Sequence, residues 1–375
     1  MPVVMQCSSI MTGISAFLYH DDFMLYQFGP SHPFQPVRER LAMDTLLSLG
    51  ILDSERAMVV APSPVSMERL NRVHPPSFVS DVERQCIAGG LLDRGDTPGN
   101  PGLFTGALAA VGGSVRGAEG IMRGEFEHAF NPAGGLHHAH PEQASGFCVF
   151  NDLAVAARYL QREHGLQRIA IVDIDGHHGD GTQYVFYGES VLTISLHRYG
   201  RGFFPGTGGM EERGVDEGEG YSINLPLPAG TDDDLYLQAY RTIVLPALRA
   251  YQPQFIIHQF GADGHYKDPL VGLGLTTAGF LEISKATHAL AHELCDGRYL
   301  VLGGGGYDID ATRRTWAIMF AELTGGQSKG ADGIAGLHDP EAGTSSEKIA
   351  AEVNRVITKQ EEVALPMVEK MIRYA

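Results

Sequence analysis

The sequence predicts a single α/β domain whose central β-sheet is mostly parallel and is flanked by helices on both faces. Four short apolar runs are nearly continuous rather than alternating, as in strands that are buried on both sides. Helical patterns lie between these runs, and alternating strands and helices are typical of a parallel sheet. Residues 20–320 contain no convincing linker, so we expect one domain.

The four predicted strands end in polar and reactive side chains. In chain order the strands are "RIAIVDID" (168–175), "SVLTISLH" (190–197), "QFIIHQFGAD" (254–263) and "RYLVLGGGGY" (298–307). The groups at their ends are Asp173 to His178, Ser195 with His197, Asp263, and Tyr307. Ligands of open parallel sheets bind at the carboxyl ends of the strands. The pattern therefore predicts one site that is assembled from all four strand ends.

Helices are predicted between these strands from capping residues and apolar spacing. Asn151 or Asp152 can cap a helix that Gly165 can close, since short polar side chains favour helix starts and glycine favours helix ends. A second helix is predicted after Thr276, where apolar residues recur at helical spacing.

The rest of the chain divides into loops and a final helix. We assign residues 1–324 to a catalytic domain, 325–345 to a loop and 346–375 to an amphipathic helical extension. The glycine-rich stretch 200–220 is also interpreted as a loop. Pro366 is expected to bend or divide the last helix, because proline cannot donate the backbone hydrogen bond.

Composition and charge restrict the class of protein. The 375 residues include 45 acidic and 28 basic side chains, a formal charge of −17. An acidic surface repels phosphate, so nucleic acid is not an expected partner. Four scattered cysteines form no CxxC pair and indicate a reducing compartment. Because the chain lacks a basic residue before Arg38 and any apolar run of ~20 residues, we expect a cytoplasmic protein without membrane contact.

The residues after the first predicted strand favour a metal ion. In an extended chain, Asp173, Asp175 and His177 point to the same face. Asp175 and His177 are candidate ligands, and Asp263 from another strand can add a second carboxylate. Two carboxylates and one imidazole leave a coordination position open, which is the pattern of a catalytic zinc site. Iron(II) is compatible with the same mixed oxygen and nitrogen ligands.

Two further stretches supply groups for acid–base chemistry. In "GGLHHA" the adjacent His137 and His138 need partners that fix their tautomers, and Asp173 and Asp180 can accept a proton from one ring each. Such pairs beside a metal provide a general base and a general acid. In "LGGGGYD" the glycines allow a sharp turn, after which the phenol of Tyr307 can stabilise an oxyanion.

Each of these elements also has a plainer interpretation. Asp263 can cap the next segment, and Tyr307 can pack in the core after an ordinary turn. Ser195 and His197 are interpreted as structural residues, and Cys148 as a small buried hydrophobic residue. No serine or cysteine has the surroundings of an activated nucleophile, so the metal hypothesis depends on the whole set rather than on any one residue.

Taken together, the motifs resemble the zinc-dependent histone deacetylase superfamily. They occur in the order "GGLHHA", "SGFCVFND", "VDIDGHHGDGTQ", "TISLH", "GFFPGTG", "INLPLP", "QFGAD", "DPL" and "LGGGGY". The resemblance covers residues 18–324 and implies a single arginase/deacetylase-like domain. The stretches "FGPSHPFQPVRERLAM" and "GADGHYKDPLVGLGLTT" are most similar to bacterial acetoin-utilisation deacetylases, which resemble the class I eukaryotic enzymes.

The resemblance implies roles for the catalytic residues. Those matching the zinc ligands are Asp175, His177 and Asp263. The residues matching the paired histidines and their carboxylate partners are His137, His138, Asp173 and Asp180, with His138 as the general base. Tyr307 matches the tyrosine that polarises the acetyl carbonyl.

The resemblance also implies groups around the catalytic centre. Residues that match the acyl-lysine tunnel and its rim are Phe147, Phe204, Leu270, Asp96, Gly146 and Gly305. Arg38 matches an arginine that lines an internal channel for acetate exit. Residues that match a structural potassium site are Asp173, Asp175, His177, Ser195 and Leu196, and a second monovalent site would use Phe186 and Tyr221.

The expected reaction is zinc-dependent hydrolysis of ε-N-acetyl-lysine in proteins or peptides, with acetyl-CoA synthetase as one candidate substrate. An acetylpolyamine deacetylase is the alternative enzyme, and the net acidity is compatible with it. A di-manganese hydrolase of the arginase type is a more distant alternative, to which His137 and His138 are poorly suited. A catalytically inert module that binds acyl-lysine is the alternative outside enzymes, although every expected catalytic position is filled.

Overall fold

The fold is built on one eight-stranded parallel sheet in the computed structural model. The structure describes residues 13–93, 95–326, 333–340 and 343–374. Cys7, the first residues of the assigned domain and parts of the 325–345 loop lie outside the described residues. The spatial order of the strands is β2-β1-β3-β8-β7-β4-β5-β6, and every neighbouring pair is parallel.

The strands are short, as in most parallel sheets. They are β1 (Ser15–Leu18), β2 (Ala57–Val60), β3 (His128–Asn131), β4 (Ile169–Asp173), β5 (Leu192–Arg198), β6 (Ser222–Leu227), β7 (Phe255–Gln259) and β8 (Tyr299–Leu302). Because all run in the same direction, their carboxyl ends lie at one edge of the sheet and their amino ends at the other. We call these the carboxyl edge and the amino edge.

Helices cover both faces of the sheet. They are α1 (Val37–Ser48), α2 (Met67–Leu70), α3 (Pro76–Ala88), α4 (Leu103–Met122), α5 (Asp152–His164), α6 (Asp180–Phe186), α7 (Asp233–Ala239), α8 (Leu245–Tyr251), α9 (Thr277–Cys295), α10 (Ile309–Leu323) and α11 (Glu347–Tyr374). A π-helical turn (Tyr240–Val244) joins α7 to α8, and single 3₁₀ turns are formed by Asp21–Leu25, Asp216–Gly218 and Gly333–Leu337.

The two faces of β4 explain why its sequence is continuously apolar. Ile169 and Ile171 pack into the core that includes residues of α4 and α5. Ala170 and Val172 point to the opposite face and pack into the core that includes residues of α9 and α10. Since alternate side chains point to opposite faces, a strand covered on both sides needs apolar residues at every position.

The predicted fold class is confirmed, and the differences lie at the ends of elements and in strands that were not predicted. All four predicted strands form, but β4 ends at Asp173 and β8 at Leu302, because the polar and glycine residues that follow leave the sheet. Four further strands, β1, β2, β3 and β6, were not predicted. The helix α9 begins after Thr276, and α5 ends at His164 with Gly165 as its C-cap, as predicted.

Of the two expectations for Pro366, a division of the last helix is wrong, since α11 continues from Glu347 to Tyr374, and a bend stays a prediction. The apolar face of α11 packs against β6, α7 and α8, where Val353, Val356 and Ala364 are buried in the same core as the sheet. Tertiary packing therefore stabilises the helix despite the backbone hydrogen bond that Pro366 cannot donate. Among the described residues, no helix has the combination of length and apolarity that crossing a membrane requires.

Candidate active site

Three predicted metal ligands meet beyond the carboxyl ends of β4 and β7. Nδ1 of His177 lies 3.2 Å from Oδ1 of Asp175 and 2.9 Å from Oδ2 of Asp263. One ligand atom from each residue lies within 4.8 Å of the other two. The prediction that strand alternation aligns Asp175 and His177 is wrong, because both residues follow the end of β4. Instead, the backbone N–H of His177 donates to Oδ1 of Asp175 at 3.0 Å and holds the loop.

Hydrogen bonds occupy the outer oxygens of both carboxylates. Gln259 Nε2 and the backbone N–H of Gly305 donate to Oδ2 of Asp175 at 2.7 and 2.8 Å. The backbone N–H of Gly176 donates to Oδ1 of Asp263 at 2.7 Å. The inward atoms are therefore Oδ1 of Asp175, Oδ2 of Asp263 and Nδ1 of His177. This is the support that metal ligands receive from their surroundings, so the donor set fits a divalent ion.

The charges of these three residues also favour a bound cation. Burial and the charge of Asp175 raise the pKa of Asp263 to about 8. Burial lowers the pKa of His177, but hydrogen bonds to Asp175 and Asp263 outweigh it and raise the pKa to about 10. Asp263 thus retains its proton beside the negative charge of Asp175. Burial raises the pKa of Asp175, but the charge of His137 and the hydrogen bond with His177 outweigh it and lower that pKa well below its ordinary value. A divalent cation would relieve the repulsion between the two carboxylates.

The adjacent histidines each pair with one of the predicted carboxylates. Nδ1–H of His137 donates to Oδ2 of Asp173 at 2.7 Å, and Nδ1–H of His138 donates to Oδ1 of Asp180 at 2.7 Å. The two Nε2 atoms lie 3.0 Å apart. A carboxylate can only accept, so both Nδ1 atoms are protonated.

Although both rings face a carboxylate, their pKa values move in opposite directions. Burial lowers the pKa of His137, but the charge of Asp173 outweighs it and raises the pKa to about 9. Burial and the charge of His137 lower the pKa of His138 to about 4, although Asp180 opposes this. At neutral pH, His137 is therefore cationic and His138 is neutral. A neutral imidazole is the form that can act as a general base.

The histidine loop is held by two neighbouring residues at the start of α5. Asn151 caps the helix by accepting from the backbone N–H of Ala154 at 2.9 Å, so the alternative cap, Asp152, is not used. The carboxylate of Asp152 instead accepts from the backbone N–H groups of Gly135 and Leu136 at 3.0 and 2.7 Å. These bonds position the backbone just before His137.

Tyr307 follows the glycine turn after β8. Its backbone N–H donates to Oδ2 of Asp268 at 2.9 Å, and its ring lies edge-on to that of Phe147 at 5.9 Å. Burial, followed by the charges of Asp263 and Asp175, raises the pKa of the phenol well above its ordinary value. The hydroxyl therefore keeps its proton and can act as a hydrogen-bond donor.

A cavity of about 570 Å³ opens over this centre. Phe147 and Phe204 line two of its sides, and His138, His177 and Tyr307 lie among its lining residues. Tyr26 shapes one wall, since its hydroxyl donates to the Phe147 carbonyl at 2.6 Å. The backbone of Gly146 and Phe147 is left-handed, with φ of 52° and 67°.

The predicted tunnel residues lie at different depths. Leu270 and Phe204 are 40% and 44% exposed and lie on the cavity lining with Gly146 and Asp96. Gly305 lies deeper, where a Cβ atom would meet Oδ2 of Asp263 at 2.4 Å. A side chain at position 305 would therefore collide with the metal-ligand group.

Arg38 and the potassium residues lie around this centre. Arg38 is buried beneath Tyr307, where Nη1 donates to the carbonyl of Gly306 at 2.9 Å. Asp173 and Ser195 are register partners in β4 and β5. The Ser195 hydroxyl bonds to Nδ1 of His197 at 2.9 Å, and the Leu196 carbonyl accepts from Tyr236 at 3.2 Å. The potassium site stays a prediction.

A family model for the histone deacetylase domain matches residues 32–323. The chain belongs to the histone deacetylase family. The match contains β2 to β8 and every residue described above for the metal, the histidine pairs and the cavity, apart from Tyr26. This places the convergent side chains in a deacetylase fold.

Curated relatives and a solved structure agree with this assignment. The chain is 40% identical over 322 residues to the acetoin utilization protein AcuC of Bacillus subtilis (strain 168), covering 83% of this chain and 82% of that protein. It is 39% identical over 303 residues to a probable deacetylase of Archaeoglobus fulgidus, covering 79% and 82%. The crystal structure of the HDA15 HD domain has a TM-score of 0.81 and 30% identity, covering 96% of this chain and all of that one. The protein is therefore an AcuC-like deacetylase.

Three residues of this deacetylase site escaped sequence reasoning. Phe203 stacks on His177 with ring centroids 5.1 Å apart, although only Phe204 was selected from "GFFPGTG". His140 contacts the second oxygen of Asp180 at 3.2 Å. Gln259 ends β7 and restrains Asp175. The two adjacent phenylalanines could have been recognised in the sequence. The contacts of Gln259 and His140 could not, because their partners are distant in the sequence.

Proposed function

We propose that this deacetylase removes acetyl groups from ε-N-acetyl-lysine in proteins or peptides, with zinc as its cofactor. The single observation that carries the proposal is the position of the Asp175, His177 and Asp263 group on a cavity with aromatic walls. Two carboxylates and one imidazole fit a zinc site with an open position, and iron(II) would be accepted by the same atoms.

The side chains of the cavity supply the remaining chemistry. A bound divalent ion would polarise the acetyl carbonyl and acidify the attacking water. The ring of His138 is neutral, and its unprotonated Nε2 can accept the proton of that water. The phenol of Tyr307 can donate to the oxyanion that develops on the acetyl oxygen. An imidazolium of the pair then protonates the leaving amine, while Asp173 and Asp180 keep both rings oriented.

The shape and charge of the cavity support an acetylated side chain as substrate. Phe147 and Phe204 offer apolar walls for an extended butyl chain, and the exposed Leu270 can contact the surrounding peptide. Asp96 is exposed at the rim, where its carboxylate can accept hydrogen bonds from a substrate backbone. Acetylated metabolic enzymes, with acetyl-CoA synthetase as one candidate, are the protein substrates that we propose.

An acetylpolyamine is the second candidate substrate, because acidic residues line the mouth. Asp93 and Asp96 both lie on the cavity lining, and the chain carries a formal charge of −17. However, the carboxylate of Asp93 is engaged by Thr97, whose backbone N–H and hydroxyl donate to it at 3.0 and 2.6 Å. This leaves Asp96 as the carboxylate with more freedom to contact a cationic substrate.

A competition assay with protein of known metal content tests the proposal. An acetyl-lysine peptide and N-acetylspermidine are offered together to zinc-loaded, iron-loaded and chelator-treated protein. We expect at least ~10-fold higher kcat/KM for the peptide, activity with zinc, and no turnover after metal removal. A preference for N-acetylspermidine would replace the substrate proposal, binding without turnover would favour an inert acyl-lysine module, and full activity after chelation would refute the metal.

Potassium completes the set of proposed cofactors. We propose that backbone carbonyls of Asp173, Asp175, His177 and Leu196, with the Ser195 hydroxyl, bind one structural K⁺. The register pairing of Asp173 with Ser195 brings two of these donors side by side, and oxygen-only ligands suit hard cations.

A further inference from the structure

A second cluster of histidines lies at the amino edge of the sheet, away from the deacetylase centre. His128 is the first residue of β3, and His288 and His292 are one turn apart near the end of α9. His128 and His288 are buried, while the side chain of His292 is 19% exposed. The cluster therefore joins a central strand to a helix on one face and reaches solvent through one ring.

The same nitrogen of all three rings points to a common centre. Nε2 of His288 lies 2.9 Å from Nε2 of His128 and 3.1 Å from Nε2 of His292. One nitrogen from each ring lies within 4.8 Å of the other two. These contacts use only Nε2, so Nδ1 of each ring can bond to another partner.

The Nδ1 partners decide which nitrogen carries the proton. Nδ1 of His128 lies 2.9 Å from the carbonyl oxygen of Gly297. Nδ1 of His288 lies 3.0 and 3.1 Å from the carboxylate oxygens of Glu322. Carbonyl and carboxylate oxygens only accept, so both Nδ1 atoms carry hydrogen. In their neutral forms, His128 and His288 then point bare Nε2 lone pairs at each other, an arrangement that either a proton on one ring or a metal ion between the rings would relieve.

A shared proton serves this geometry poorly. One N–H on His288 makes one strong, linear hydrogen bond, and the third Nε2 then has no donor from the cluster. Burial, with the charges that His288 and His292 would carry, lowers the pKa of His128 well below its ordinary value. The pKa of His292 is also lowered, first by burial and then by His288. Neutral imidazoles are the form that metal ions bind.

Acidic side chains supply the charge that a buried ion needs. Glu322 faces His288, as described above. Glu127 precedes β3, and its two oxygens lie 3.7 Å from Nε2 of His128 and 3.6 Å from Nδ1 of His292. Together the two carboxylates can neutralise a divalent cation, and an Nδ1–carboxylate contact is the usual support of a metal-binding histidine.

We propose that His128, His288 and His292 bind a divalent transition-metal ion, preferably zinc, through their Nε2 atoms. Tetrahedral zinc with bonds of 2.0–2.1 Å places its nitrogen ligands about 3.3 Å apart, so His288 needs to separate from His128 and from His292 by only a few tenths of an ångström. The fourth position would hold water or the Glu127 carboxylate. An ion here would join α9 and β3, a structural role that does not depend on the proposed deacetylation.

Metal content per chain tests the proposal. Wild-type protein and the variants His292→Ala and His164→Ala are stripped with chelator, dialysed against buffered Zn²⁺ and analysed for zinc. His292 is the accessible ligand, and alanine favours the helix. His164, a partly exposed residue at the end of α5, is the matched control. We expect two zinc ions per chain in the wild type and in His164→Ala, and one in His292→Ala.

A conservative variant and a spectroscopic measurement distinguish the loss of a metal ligand from misfolding. Glu322→Gln keeps the shape of the side chain but removes its charge, and we expect ~10–100-fold weaker zinc binding at this site, as for loss of an outer hydrogen-bond partner. Co²⁺ substitution should add visible absorption of a tetrahedral site in the wild type that His292→Ala lacks.

The outcomes separate this site from the deacetylase centre. Equal zinc content in wild type and His292→Ala, with no Co²⁺ difference, would overturn the inference, and the cluster would then be a protonated histidine network. Asp263→Asn is expected to lose the other zinc ion and keep this one. If Asp263→Asn retained both ions, the active-site assignment would fail while the amino-edge site would stand.

Discussion

The two edges of the sheet carry two histidine clusters that differ in their neighbours. At the carboxyl edge, His177 shares its centre with two carboxylates and lies on a cavity of about 570 Å³. At the amino edge, His128 and His288 are buried and only His292 reaches solvent. An ion at the carboxyl edge could contact a substrate, whereas an ion at the amino edge would be enclosed by β3 and α9.

The partner of each ring's other nitrogen explains the electrostatic difference. At the carboxyl edge, the carboxylate of Asp173 faces Nδ1 of His137 and raises its pKa to about 9 against the effect of burial. At the amino edge, the neutral carbonyl of Gly297 faces Nδ1 of His128, and burial lowers its pKa. Both clusters contain an Nε2 to Nε2 contact near 3 Å. At the carboxyl edge both rings of this contact face a carboxylate, whereas at the amino edge only His288 does, through Glu322.

The largest effect is expected from Asp263→Asn. Loss of one buried carboxylate should release the metal from the carboxyl edge and reduce turnover to the level of chelator-treated protein, because two ligands hold zinc poorly. Metal analysis and deacetylation of an acetyl-lysine peptide measure both effects. Asp296→Asn is the control, since this exposed residue has φ of 54°, which asparagine tolerates. Full metal occupancy in Asp263→Asn would contradict its role as a ligand.

The next effect concerns the general base. His138→Gln should lower kcat by ~10²–10⁴-fold, the usual contribution of a positioned acid or base, without loss of metal. His140→Gln is the matched comparison, because His140 contacts the other oxygen of the same Asp180; a decrease below ~10-fold is expected there. Steady-state kinetics distinguishes the two variants. Comparable losses in both would mean that orientation of Asp180, rather than proton transfer at His138, limits the reaction.

The Tyr307→Phe variant tests the hydrogen-bond donor to the oxyanion. Removal of one oxyanion donor should reduce turnover at least ~100-fold, while zinc content at both edges stays that of the wild type. Tyr184→Phe, at a 64% exposed position, serves as the control. Near-normal turnover of Tyr307→Phe would refute the assigned role, and loss of metal would show that the phenol supports the ligands instead.

The smallest effect is a pH dependence of stability at the carboxyl edge. Burial raises the pKa of Glu39, next to Arg38, to about 8. Between the ordinary value of 4.5 and about 8, the folded state holds a proton that the unfolded chain has released. The free energy of unfolding should therefore fall as pH rises through this range, by up to ~1.4 kcal/mol per pH unit.

Glu39→Gln cannot titrate, so its free energy of unfolding should depend less on pH than that of the wild type. Denaturant unfolding at pH 5.5 and pH 7.5 measures the difference. Glu83→Gln, on the exposed side of α3, should retain the wild-type slope. An unchanged slope in Glu39→Gln would mean that Glu39 is ionised in the folded protein.

Sequence patterns predicted those parts of the fold that depend on local composition. The run from Ile169 to Val172 predicted a doubly covered strand, because every position must be apolar when both faces are buried. The strands β1, β2, β3 and β6 were not predicted, and the first three have only four residues each, so they carry little periodicity. The equally short β8 was predicted from its continuous apolar run before the glycines. The helical extension over residues 346–375 was predicted, and only its division at Pro366 was wrong, because packing outweighs the local cost of that proline.

The candidate site shows the same division. Carboxylates and imidazoles at consecutive strand ends were visible as a group, so Asp175, His177 and Asp263 could be predicted as ligands. The role of Asp152 in holding the histidine loop could not be predicted, because its sequence position suggests a helix cap. Hydrogen bonds between distant segments decided that assignment, and local sequence carries little information about them.

The amino-acid sequence alone determined β4, β5, β7 and β8, several of the helices and the chemical groups at those four strand ends, because burial and periodicity are local properties. Tertiary structure decided which nitrogen faces which oxygen. His128 meets His288 across 160 residues, and Gln259 meets Asp175 across 84. Such contacts depend on how the sheet stacks distant segments, and the partner so chosen decides whether a histidine is charged, neutral or available to a metal.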